Sequence, residues 1–180
     1  MSTVRRFSDP MGFLTPVVIR FKVLFQHLCR AKIDWDQPLT GELLREWSSL
    51  ASDLQGGTSY SIPRHQFSGC AHTPTSCRLH RFSDASKTAY VAVVYITFET
   101  PNGTSVRFVS SKSPSAAPLQ GLSIPCLELM SALLLSRLVD SITHCLANEL
   151  ELLPPICYTD SKVALYWIIG DKEWKHFVRN

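Results

Sequence analysis

The sequence predicts a mixed α/β fold, with two helices followed by strand, strand, strand, helix, strand and helix. Three observations carry that expectation. Residues 90–98 (YVAVVYITF) and 104–111 are β-branched and aromatic runs separated by Thr-Pro-Asn-Gly, the pattern of a hairpin. From Ser123, the stretch IPCLELMSALLLSRLVDSITHCL is apolar on nearly all sides, as expected of a helix buried on several faces. Finally, residues 156–159 form a short apolar strand that runs directly into Asp160-Ser161 and a helix-compatible segment.

Thr15-Pro16 reads as an N-cap and first helical residue. Behind it Val17, Val18, Phe21, Leu24, Phe25 and Leu28 fall on one face, with Arg20, Lys22, Gln26 and Arg30 opposite. A second helix is expected after Thr40, with Leu43, Leu44, Trp47, Leu50 and Leu54 as its apolar stripe. Residues 55–78 are rich in Ser, Thr, Gly and Pro and read as a linker. Residues 79–83 form a first strand leading into Asp84. Asn102-Gly103 suits a type I′ turn, which favours that reading over a glycosylation sequon. Residues 113–120 read as a Ser/Pro/Ala loop. Pro154-Pro155 is expected to reset the chain before the last strand, and the final helix to end near Gly170.

Composition narrows the functional classes. At 45% hydrophobic and 18% charged, the chain suits a globular domain with a real core. A net charge of +3 permits a polyanionic partner without requiring one. No run of about 18 apolar residues is free of charge, so no membrane-spanning helix is expected. The first ten residues have no apolar segment after their arginines, so no secretory signal is expected. Six scattered cysteines then read as free thiols. Cys70, His72, Cys77 and His80 offer zinc-type ligands, but their spacing matches no zinc template.

Asp84 follows a strand, Glu128 lies early in the apolar helix, and Asp160 follows another strand. Alone, each has an ordinary role: a turn residue before Ser86, a partner of the helix dipole, and an N-cap. If the two strands are neighbours and the helix packs across them, however, all three acids meet at one end of the sheet. Ser131 and Ala132, small residues on the Glu128 face, would let the helix approach closely. Clustered carboxylates repel one another. A hard divalent cation such as Mg²⁺ reverses that penalty, and two such ions can clamp both oxygens of a phosphodiester displacement.

These motifs together resemble BEL/Pao-type LTR retrotransposon polyproteins, where the reverse transcriptase ends and the ribonuclease H-like part begins. SDPMGFLTPVVIRFKVLFQHL and KIDWDQPLT resemble the connection segment after the polymerase. RFSDASKTAYVAVVY resembles the first ribonuclease H strand pair, IPCLELMSALLLSRL the family's Ile-Pro-x-Leu-Glu-Leu helix, and CYTDSKVALYWI the segment bearing the third acid. WKHFVRN resembles the family's next segment after that acid. The resemblance implies a truncated ribonuclease H-like fold at 79–180, after a helical connection segment (1–54) and a linker (55–78). It implies that Asp84, Glu128 and Asp160 hold two Mg²⁺ or Mn²⁺ ions and that the chain cleaves the RNA strand of an RNA–DNA hybrid. Lys87, Arg107, Lys112 and Lys162 are the candidate phosphate contacts. The reverse transcriptase and the rest of the same polyprotein would be partners, with no membrane involved. The setting would be a cytoplasmic virus-like particle or the nucleus, not the secretory route.

The sequence also departs from that pattern. The family's last strand and helix, with a fourth acid, are expected beyond Asn180; Asp171 and Glu173 come too soon after the Asp160 helix to replace it. Cys126 stands where the family carries an arginine, and the KSPSAAP loop lacks a further basic residue, so two substrate contacts are lost. No Tyr-x-Asp-Asp polymerase motif is present. Asp84-Ala85-Ser86 and Asp160-Ser161-Lys162 both lack the glycine of an aspartic peptidase, which argues against that activity. Activity of this chain alone is therefore expected to be weak or absent. The alternatives are a non-catalytic nucleic-acid-binding or connection module, and a decayed relic of the element.

Overall fold

Helix α1 spans Thr15–Arg30 and helix α2 spans Gly41–Gly57. A computed structural model describes residues 9–57, 61–62, 65–68, 70, 74, 76–113, 121–174 and 176–179. The two helices form a hairpin. Phe21, Leu24 and Leu28 on α1 pack against Leu50 and Leu54 on α2, and Trp47 meets Phe21 edge-on. The predicted stripes are correct at their centres; Phe25 and Leu44, at the stripe margins, remain exposed.

The α1 cap differs from expectation. Leu14, not Thr15, is the N-cap residue, and it supplies no side-chain hydrogen bond. Asp9 instead ties down the turn that leads into the helix, accepting the Gly12 and Phe13 N–H groups at 2.9 and 3.0 Å and the Leu14 N–H at 2.7 Å. The Thr15 hydroxyl is engaged elsewhere, 2.9 Å from Ser111 Oγ.

Strands β1 (Ser76–Ala85), β2 (Tyr90–Thr100), β3 (Gly103–Lys112) and β4 (Glu151–Tyr158) form one sheet in the order β3-β2-β1-β4. β1, β2 and β3 pair antiparallel, and β4 pairs parallel to β1. Alternation along β2 buries Ala92, Val94, Ile96 and Phe98 beneath helix α3 (Ile124–Leu146), where Leu135, Leu138 and Val139 meet them.

The first strand begins at Ser76, inside the segment expected to be linker; the rest of 55–78 lies largely outside the described residues, as does the 113–120 loop beyond Ser113. The hairpin is present, but its turn is not type I′: the left-handed φ falls on Gly103 (+109°) and not on Asn102. Pro101 fixes a negative φ at the first turn position, which excludes that mirror-image geometry.

β4 begins before the prolines rather than after them. Leu153 pairs with Arg78 and Ile156 with His80, so a bulge absorbs one extra residue at Pro154-Pro155. Prolines are tolerated here because β4 is an edge strand among the described residues and the bulge interrupts its ladder where they lie.

α3 is buried along one stripe only, leaving Leu133 about half exposed at 48%. By length and composition it is apolar enough to cross a bilayer, since after Glu128 it carries only Arg137 and Asp140 as charges; that differs from the expectation of no such helix. Here its buried stripe packs on the sheet. Helices α4 (Lys162–Ile169) and α5 (His176–Arg179) complete the described chain.

Candidate metal centre

Parallel pairing sets Phe82 beside Tyr158, so the chain leaves both strands at the same end of the sheet. Asp84 and Asp160 lie two residues beyond that pair and are exposed. Glu128 reaches the same point from the second turn of α3 and is only 5% exposed. One carboxylate oxygen from each of the three lies within 4.8 Å of the others. The convergence expected from the order of elements is therefore present.

Ser131 holds the helix in place. It is fully buried, and its hydroxyl lies 2.6 Å from the Val91 carbonyl and 3.0 Å from the Asp84 carbonyl, so one proton serves both strands. The sequence marked Ser131 as small; its bond to the Asp84 backbone could have been suspected only from its position one turn after Glu128.

Asp160 does not cap α4. Ser161 is the N-cap, accepting the Ala164 N–H at 3.2 Å, while Thr159 Oγ1 accepts the Ser161 N–H. A hydroxyl does the capping, and the neighbouring carboxylate turns to the cluster.

Burial pushes the Glu128 carboxyl above the usual glutamate range; the Asp84 and Asp160 charges push the same way, and the Ala85 N–H, which donates to it, partly offsets them. Its Oε2 is buried with no hydrogen-bond partner. Buried acceptors are normally paired, and leaving a charged one unpaired costs several kcal/mol, roughly. A divalent cation is the chemistry this set fits: three hard oxygen donors, two open to solvent and one held in a dry wall with an orphaned lone pair. Asp171 and Glu173 are exposed beyond Gly170 and stand outside this group among the described residues.

The four candidate phosphate contacts do not converge. Lys87 in the β1–β2 turn and Lys162 at the start of α4 are exposed and close in sequence to Asp84 and Asp160. Lys112 lies at the same end of the sheet but pairs with the core residue Ala92, so it projects on the α3 side. Arg107 pairs with Ile96, itself opposite Leu79, five residues from Asp84 and roughly 17 Å along the strand. Its guanidinium lies over the Phe98 ring at 5.9 Å.

The zinc-type group disperses. Cys77 is buried under α3, where burial pushes its thiol pKa up, away from the thiolate a metal requires. His80 points from the opposite face and stacks on Tyr158, and His72 lies outside the described residues.

A mixed sheet ordered 3-2-1-4, one helix across it and three acids at the end of its parallel β1–β4 pair define a ribonuclease H-like domain. Residues 1–161 match the family model of the Pao retrotransposon-like RNaseH-like domain, and the chain belongs to that family. The matched span ends just past Asp160 and so includes all three acids. No curated protein and no solved structure matches the chain.

Proposed function

We propose that the domain is a metal-dependent nuclease acting on the RNA strand of RNA–DNA hybrids, with Asp84, Glu128 and Asp160 as its ligand set. The observation that carries this reading is the cluster itself: three carboxylate oxygens within 4.8 Å, one from the buried Glu128, whose Oε2 has no hydrogen-bond partner. Mg²⁺ or Mn²⁺ bound there would supply Lewis acidity toward a phosphate and a water made more acidic. The chain's own part is positional. The Ala85 N–H fixes one side of the Glu128 carboxylate, and Ser131 ties α3 to β1 and β2. Asp84 and Asp160 stay open to solvent, where a phosphodiester can approach.

Hybrid binding would rest on phosphates and 2′-hydroxyls rather than base edges. Lys87 and Lys162, exposed and close in sequence to Asp84 and Asp160, would contribute phosphate contacts. Residues 1–54 would act as the connection segment following a polymerase in the same polyprotein, inside a virus-like particle or the nucleus.

The test is cleavage of an end-labelled hybrid in Mg²⁺ or Mn²⁺ by the full chain. Cutting abolished by Asp84→Asn supports the proposal. Cutting unchanged by that substitution overturns it, and salt-dependent binding insensitive to metal and to the acids would assign a binding module instead.

A further inference from the structure

Between the N-terminal segment and the sheet face opposite α3 lies a cavity of about 610 Å³, within the size range of small-ligand sites. Gly12, Phe13, Thr15, Pro16 and Ile19 form one wall; Val91, Val93, Tyr95, Phe108 and Ser111 form the other. Asp84 lines it as well, so the cavity and the carboxylate cluster share a residue. The segment is fixed in place: the Ser111 N–H donates to Met11 O at 2.8 Å, Ser111 Oγ to Gly12 O at 2.6 Å, and Phe13 packs on Phe108 at 4.5 Å.

The lining defines the ligand. Its walls are apolar and aromatic, with Tyr95 and Phe108 edge-to-face at 5.8 Å. Its serine and threonine hydroxyls are already engaged: Ser86 with Ala89 and Thr88, Ser111 with Gly12 and Thr15, Ser113 with the Tyr90 carbonyl. Beside the Asp84 carboxylate, the Tyr95 hydroxyl is left to meet a ligand's polar edge, so the cavity favours a flat aromatic body held mainly by its faces. The carboxylates lie at Asp84, and the exposed Lys87 lies in the turn between the lining residues Ser86 and Ala89. A ligand filling this space would thus have an aromatic ring inside and a phosphate within reach of the rim.

We propose that the cavity receives an unpaired nucleobase next to the phosphate held at the carboxylate cluster, so that the domain favours hybrids with an unpaired nucleotide over continuous ones. The inference rests on the nuclease reading for its phosphate but not for its base. Stacking on aromatic walls tolerates any base, because every base has a π-face. Sequence preference at that position is therefore expected to be slight.

The experiment uses a hybrid with one bulged 2-aminopurine nucleotide and its fully paired counterpart, bound to the full chain in Mg²⁺ and in EDTA. The bulged hybrid should bind about five- to tenfold more tightly and its fluorescence should be quenched. Ile19→Trp, which fills the cavity, should remove that preference while leaving paired-hybrid affinity within about twofold. Tyr95→Leu removes an aromatic wall but keeps the strand apolar, and should reduce the quenching. Equal affinity for the two hybrids, or a preference that survives Ile19→Trp, overturns the proposal. Failure of the metal reading would look different: cleavage indifferent to Asp84→Asn, with the bulge preference intact in EDTA.

Discussion

Glu128 bears the electrostatic load of the site. Its pKa is raised in the folded chain by burial first and by Asp84 and Asp160 second. For a carboxyl raised on folding, the stability it contributes is fully present below its unfolded pKa and is lost as pH rises through the folded one. Ionised Glu128 therefore destabilises the metal-free fold at neutral pH. Glu128→Gln should melt higher than the unsubstituted chain at pH 7.5 in EDTA, with the gap closing as pH falls below the ordinary glutamate range. Divalent cation should narrow the gap by stabilising only the carboxylate form. A thermal-melt series across pH with and without Mg²⁺ checks this; a less stable glutamine variant in EDTA would contradict it. The acid was legible in sequence because a carboxylate flanked by apolar residues early in the helix needs a partner. The orphaned Oε2 was not, since it depends on which neighbours reach it.

At the scale of elements, the strand–helix junction after β4 separates two roles that a single sequence position seemed to combine. Ser161 caps α4, and Asp160 joins the cluster. Ser161→Ala should cost about 1 kcal/mol. Asp160→Asn should leave metal-free stability within about 0.5 kcal/mol, or raise it by relieving repulsion at Glu128. Urea unfolding of both variants decides the matter; a larger loss from Asp160→Asn would restore it as the cap. Asp and Ser are near-equal caps, so adjacent candidates could not be ranked by propensity. The same limit hid the start of β4, because the rule that proline breaks strands holds inside a sheet and fails at its edge. The face that Arg107 and Lys112 occupy was hidden for a third reason. A bulge between Val94 and Tyr95 inserts one extra residue in β3, so an odd- and an even-numbered cation share the core face.

For the whole molecule, what stands out is how the helical hairpin is joined to the sheet. Its entry segment crosses the face that α3 leaves open, and the contact is tightest at Gly12. That residue has φ +81°, and a Cβ there would collide with the Ser111 carbonyl. Lys22 Nζ adds a bond to the Ser113 carbonyl at 2.6 Å. Gly12→Ala should destabilise the chain by more than about 1 kcal/mol. It should also raise amide exchange at Ser111 while leaving the α3–sheet core protected. An unchanged Ser111 exchange rate would mean the segment is held by other contacts. The order of elements, and hence the meeting point of the acids, was readable from periodicity and turn signals. The docking of the helices was not, since it depends on a backbone approach that a glycine permits but does not announce.

The central claim is that three carboxylates from three elements form one divalent-metal site. Electron paramagnetic resonance of Mn²⁺ titrated into the full chain tests it most directly, with Asp84→Asn and Glu128→Gln alongside. Saturable Mn²⁺ binding, weakened about tenfold or more by either substitution, is the predicted result. Absence of saturable binding, or binding that neither substitution alters, would contradict it.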